Sequence, residues 1–238
     1  FYTQDTAILH HFYYVMLKVQ KVVEGFCRQE YRNQAEFMLK ADQLFDDSNY
    51  NKGMVHARFL KYDSALEFME AAEKEQPDNV NLLNNVLSLY NTTATIEKAI
   101  KTANNILEVL QDIHKNNLDH LDIAKSYNNL GLIYSNKGEY EKAIKYFKQS
   151  LPIMLKIYEH NLNHPDIAGS YNSLGLTYYA KGEYEEAIRY YEQSLEIRLE
   201  AYKDSPNHPD IARIYNNLGL TYSDKGQYKE AIRYFKQS

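Results

Sequence analysis

Cysteine occurs once in these 238 residues, at Cys27, so no internal disulfide can form. A lone thiol between Phe26 and Arg28 is expected to pack as a small inert hydrophobe. Tryptophan is absent and proline occurs only five times. No run of 18 apolar residues exists. The nearest candidate, "HHFYYVMLKVQKVVEGF", is interrupted by Lys18, Gln20 and Lys21, which excludes direct membrane insertion. The formal charge is only -5, and basic and acidic residues alternate instead of forming blocks. A nucleic-acid partner therefore has little electrostatic footing. No HExxH, CxxC pair or phosphate-binding glycine loop occurs, which argues against an enzyme and leaves no catalytic, cofactor or metal residues to name. No signal-like leader follows Phe1, and Ser238 falls inside a motif, so the chain reads as an excised fragment; a cytoplasmic location is expected.

With 44% hydrophobic and 25% charged residues the chain has enough apolar content to fold. Strand-like alternation is scarce, and the expected class is all-α. The sentence "SYNNLGLIYSNKGEYEKAI" at 126–144 returns as "SYNSLGLTYYAKGEYEEAI" and again as "IYNNLGLTYSDKGQYKEAI". Gly131, Gly175 and Gly219 share one spacing of 44 residues with Gly138, Gly182 and Gly226 and with Ala143, Ala187 and Ala231. Asp166–Ser194 and Asp210–Ser238 agree at 20 of 29 positions, which chance does not produce. A fixed period in this range marks a stacked solenoid.

Each copy divides into two helices. Tyr127, Leu130, Gly131 and Tyr134 share one face of the first. A glycine inside a helix costs about 1 kcal/mol of propensity, so Gly131 implies close approach of a neighbour. Gly138 suits the left-handed residue that ends the helix. Tyr140, Ala143, Phe147 and Ser150 form the inner face of the second helix. The connectors "NLNHPDIA" and "SPNHPDIA" place Pro165 and Pro209 in a first helical turn, with Asp166 and Asp210 near its free amides. The first copy keeps Asp122 but has Leu121 for proline. His120, His164 and His208 recur one per repeat, too far apart to share a metal, and a cap or loop role is expected. Pro152 should kink or break its helix. Glu185, Glu186 and Arg189 read as a solvated ion-pair group.

These residues resemble the tetratricopeptide repeat, whose pattern runs large, Leu, small, Tyr, Ala, aromatic, small. Tyr127, Leu130, Gly131, Tyr134, Ala143, Phe147 and Ser150 fill it, as do Tyr171, Leu174, Gly175, Tyr178, Ala187, Tyr191 and Ser194, and then Tyr215, Leu218, Gly219, Tyr222, Ala231, Phe235 and Ser238. Ordinary repeats of the family run about 34 residues. The longer step, the "NNLG" core and the "HPDIA" connector resemble the long repeats of kinesin light chains. The resemblance implies a right-handed α-solenoid of stacked antiparallel hairpins. Upstream, Leu83, Val86, Leu87, Tyr90, Ile96, Ala99, Ala103 and Ile106 form a degenerate copy, in which Leu87 in place of glycine implies a wider helix contact. Tyr62, Ala65, Met69 and Ala72, followed by Pro77, read as a further second helix whose first helix, around 49–60, matches poorly. The expected organisation is a helical cap or eroded repeat at 1–47, degenerate repeats at 48–121, and three long repeats at 122–238, the last cut short with a sticky or frayed end.

In such arrays the first helices line a groove. The resemblance places Lys125, Asn128, Asn129 and Leu132 there, then Asn172, Ser173, Leu176 and Tyr179, then Arg213, Asn216, Asn217 and Leu220. Asparagine amides can both donate to and accept from an extended main chain; Lys125 and Arg213 can meet carboxylates; the three leucines supply an apolar floor. The same asparagines can instead pack or cap neighbouring helices. Gly169 stands where the family's two-carboxylate clamp needs a basic residue, so that clamp is incomplete. The implied function is a non-catalytic scaffold holding a protein or peptide with acidic and apolar residues. The alternatives are an array that self-associates through its ends, or a peptide-responsive module regulating an enzymatic or effector domain outside this fragment.

Overall fold

The computed structural model describes residues 53, 56, 57, 62–115 and 117–238. The expected cap at 1–47, Cys27 and most of the helix expected around 49–60 lie outside the described residues. Among the described residues the secondary structure is entirely helical, in nine helices. The chain divides into two compact units between Gln76 and Pro77, so the segment 48–121 straddles the division.

In the first unit, α1 (Tyr62–Glu75) buries Ala65, Met69 and Ala72. A Cβ added to Gly53 would lie 2.6 Å from Met69 Cγ. The sixteen-residue offset is that of Gly131 and Phe147, so Gly53 is the small residue of the first helix that sequence comparison left poorly matched. Lys52 in the usual leucine place hid it.

The second unit is a solenoid of stacked hairpins. It contains α2 (Val80–Thr92) with α3 (Ile96–Ile113), α4 (Leu121–Asn136) with α5 (Tyr140–Ile157), α6 (Pro165–Lys181) with α7 (Tyr184–Ala201), and α8 (Pro209–Asp224) with α9 (Tyr228–Phe235). Each second helix also packs on the next first helix, and first helices touch from hairpin to hairpin at α4–α6 and α6–α8. The repeated residues are the ones that stack. Leu130, Leu174 and Leu218 are fully buried, as are Ala143, Ala187, Phe147 and Tyr191 to within 1%. Full burial of one such large side chain contributes about 1.5–3 kcal/mol.

Gly131 meets the ring of Phe147, which a Cβ would approach to 2.6 Å, and Gly175 meets Tyr191 in the same way. The close approach is thus made by an aromatic ring crossing the hairpin. In α2 and α3 the sizes exchange: Leu87 replaces glycine, Ala103 replaces the aromatic, and both are buried. Ser150 Oγ donates to the carbonyl of Ala124 at 2.7 Å, and Ser194 Oγ to that of Ala168 at 2.8 Å. A small hydroxyl at this buried place therefore ties the two helices of a hairpin and leaves no polar orphan.

Gly138, Gly182 and Gly226 end the first helices with φ of 81°, 83° and 77°, the left-handed conformation expected of them. Beside them Lys137 bridges Glu139 and, in the preceding repeat, Glu97 at 3.0 Å; Lys181 repeats this with Glu183 and Glu141, and Lys225 with Glu185. These hydrogen bonds hold Lys137 and Lys181 above, and Glu139 and Glu185 below, their ordinary pKa ranges, while the Glu141 carboxyl is lowered first by its own backbone N–H and then by Lys181. Pro152 does not break α5, which continues to Ile157. Pro152 and Lys148, whose carbonyl loses its partner, both face solvent, and water can take the missing bond.

Tyrosine is abundant partly because each of the three long-repeat hairpins carries a stack that sequence comparison missed. Tyr146 lies between Tyr127 and Tyr134, Tyr190 between Tyr171 and Tyr178, and Tyr234 between Tyr215 and Tyr222. Arg189 and Arg233 cover the second and third stacks at 4.3 and 4.7 Å from a ring centre.

The connector histidines cap helices. Nδ1 of His120, His164 and His208 accepts the N–H of Asp122, Asp166 and Asp210 at 3.3, 3.2 and 3.2 Å. Tyr158 stacks on His164 and donates to Asp166 at 2.9 Å. Tyr202 stacks likewise on His208, but there Arg198, only 4% exposed, takes the Asp210 carboxylate. Pro165 and Pro209 open their helices, where no N–H is required.

Candidate interaction surface

The first helices α4, α6 and α8 bury one face in their hairpins and leave another open. On the open face Leu132, Leu176 and Leu220 are 44%, 42% and 42% exposed, although Leu130, Leu174 and Leu218 two residues earlier are fully buried. The equal exposure of three leucines at one repeat position makes an apolar row across three hairpins.

The polar residues expected beside that row fall into two groups. Several bind the neighbouring helix. Asn128 donates to Ser170 Oγ at 3.0 Å, Ser135 Oγ meets Thr177 Oγ1 at 3.1 Å, and Asn217 donates to Asn172 Oδ1 at 3.1 Å. Tyr179 donates to Asp224 of the next repeat. Ser173 Oγ turns back to the carbonyl of Gly169 at 3.0 Å. Others stay open: Lys125 and Asn216 are exposed and Asn129 half-exposed. Lys125 makes no ion pair among the described residues, whereas Arg213 is held by Asp210 at 2.8 Å.

The two α-helix interfaces differ for a reason visible in sequence only once the pairing is known. Ile214 stands where α6 has Ser170, so Asn172 has no hydroxyl ahead of it and pairs with Asn217 instead. Ser170 and Thr177 were not singled out by sequence reasoning; their only signal is a polar residue 42 places beyond another polar one.

Burial and the Asp166 hydrogen bond push the Tyr158 phenol up to about 12, and the Asp224 hydrogen bond, with burial, does the same to Tyr179. A raised phenol pKa gives stability that is intact below the unfolded value near 10 and is lost as pH rises through the folded value. Helicity in an alkaline titration should therefore fall between about pH 10 and 12. The double variant Tyr158→Phe/Tyr179→Phe should start less stable and lose less across that window. An identical slope in both proteins would remove these phenols as the cause.

A family model described as the tetratricopeptide repeat matches residues 78–156, 122–200 and 166–238, more than half of the chain. The chain belongs to the tetratricopeptide repeat family. Its fold is shared with solved structures of low identity. A putative kinesin light chain from Podosopora anserina with nearly identical repeats is 20% identical with a TM-score of 0.65, covering 80% of this chain and 92% of that one. BtubC (BKLC) from P. vanneervenii is 19% identical with a TM-score of 0.66, covering 93% and 87%. MamA is 24% identical with a TM-score of 0.56, covering 78% and 91%. No curated protein matches the sequence. Tetratricopeptide repeat arrays are in general non-catalytic scaffolds for protein interaction, and no enzymatic family is indicated. Among the described residues no helix is long and apolar enough to cross a membrane.

Proposed function

We propose that the open face of α4, α6 and α8 is a recognition surface for an extended segment of another protein. The observation that carries this reading is the row of exposed leucines Leu132, Leu176 and Leu220, kept at one repeat position where packing does not require them. Apolar side chains left exposed at the same place in successive repeats offer a ready contact for a partner. Apolar side chains of the segment would sit on this row. Asn129 and Asn216 would meet its main chain, and Lys125, which makes no ion pair among the described residues, would take an acidic residue. Asn128, Asn172, Asn217 and Tyr179 contribute chiefly by fixing the spacing of the helices, since each already bonds a neighbouring hairpin.

A second reading is self-association of the array through its ends.

Affinity capture from a lysate of the source cell separates the two. The comparison is wild type against Leu132→Ser/Leu176→Ser/Leu220→Ser and against Lys125→Ala/Asn129→Ala, with helicity matched. A partner held by wild type and lost at least tenfold by the leucine variant is expected. Equal recovery by all three proteins would contradict the leucine row. Recovery of nothing but the chain itself would support self-association.

A further inference from the structure

We propose that His114, His120 and Asp122 form a binding site for a divalent first-row transition ion, of the zinc type, at the junction between α3 and α4. In the two following repeats the same place holds a tyrosine, a histidine and an aspartate: Tyr158, His164 and Asp166, then Tyr202, His208 and Asp210. There the tyrosine ring stacks on the histidine that caps the helix. His114 replaces the tyrosine and keeps the stack, with ring centres 3.6 Å apart and planes inclined by 13°. What changes is the chemistry. A phenol that can only serve as a poor neutral ligand becomes a second imidazole.

The three side chains offer one ligand atom each, and these lie within 4.8 Å of one another. His120 Nδ1 and Asp122 Oδ2 are 3.5 Å apart. Two ligands on one tetrahedral zinc, with bonds of about 2 Å, stand about 3.3 Å apart. Asp119, the other carboxylate of the connector, is held by Lys156, so Asp122 is the acid left for an ion. Two nitrogens and one carboxylate suit zinc or its neighbours, whereas calcium and magnesium require mostly oxygen.

His114 and His120 are half-buried and Asp122 is exposed, and water would complete the coordination. Binding requires movement. Stacked rings cannot both hold one ion in their planes, so one imidazole must rotate out of the stack. His120 Nδ1 would also exchange the Asp122 N–H it now accepts for the ion. The ion would thus join the end of one hairpin to the start of the next in place of a helix cap.

The test is zinc titration of the full chain by calorimetry near neutral pH, with calcium as the control ion. The variants are His114→Tyr, which installs the residue its sister repeats use, and Asp122→Asn. Counting equivalents separates this site from zinc bound elsewhere on the chain. Wild type should bind one equivalent more than His114→Tyr, Asp122→Asn should bind that equivalent at least tenfold more weakly, and calcium should not compete. Equal stoichiometry and affinity in wild type and His114→Tyr would overturn the site. Should His114→Tyr lose helicity, unchanged binding by Asp122→Asn overturns it instead.

Discussion

Gly131→Ala and Gly175→Ala should each destabilise the protein by up to about 2 kcal/mol, whereas Gly219→Ala should be neutral or slightly stabilising. Alanine improves helix propensity by about 1 kcal/mol at all three places. Against this stands the Cβ, which would lie 2.6 Å from a ring in each hairpin. Overpacking of a core costs about 1–3 kcal/mol when the neighbour cannot yield. Phe147 and Tyr191 are buried to 0% and 1% and have nowhere to go. Phe235, facing Gly219, is 39% exposed and can swing outward, so there the propensity gain prevails. Urea denaturation of the three variants checks this. Equal losses at all three sites would show that the glycines serve the backbone and not the rings.

The second large effect concerns Arg198 and Asp210. Arg198 sits in the place Met154 has one repeat earlier, 4% exposed, with its Nε lacking a partner among the described residues. A buried charge without its counter-ion costs several kcal/mol, and breaking such a pair from one side is worse than replacing it with an apolar group. Asp210→Ala should therefore cost on the order of 3 kcal/mol. Arg198→Met, which copies the preceding repeat, should be neutral or stabilising, and the double variant should sit near Arg198→Met. Thermal denaturation of all three gives the coupling. A loss in Arg198→Met as large as in Asp210→Ala would mean that the pair stabilises the array outright.

The hairpin architecture of the second unit was legible because stacking imposes the same buried residues on every copy. Leu130, Gly131, Ala143, Phe147 and Ser150 recur for that reason, and the left-handed Gly138 announces its own turn. Where the pattern had drifted, sequence was less informative. Gly53 plays the part of Gly131, yet Lys52 beside it masked the repeat. Leu87 suggested a wider contact, and the compensating Ala103 lies sixteen residues away, where only the hairpin brings it into account. The face of each helix was legible for the interaction surface, but the competition for its side chains was not. Asn128, Asn172 and Asn217 have the chemistry of ligands and equally of helix ties. Which they serve depends on what lies across the interface, and a single change such as Ser170 to Ile214 redirects the bonding. Leucines carry no such ambiguity, because one exposed to 42–44% has no internal partner to satisfy.

The most direct test of the account is methyl NMR of leucine- and isoleucine-labelled protein, titrated with the segment recovered by capture. The methyls of Leu132, Leu176 and Leu220 should shift together at one saturating concentration, while the buried Leu130, Leu174 and Leu218 and the exposed second-helix Leu199 stay in place. Shifts confined to Leu199 or to Ile232 on α9, with the three first-helix leucines unmoved, would contradict it.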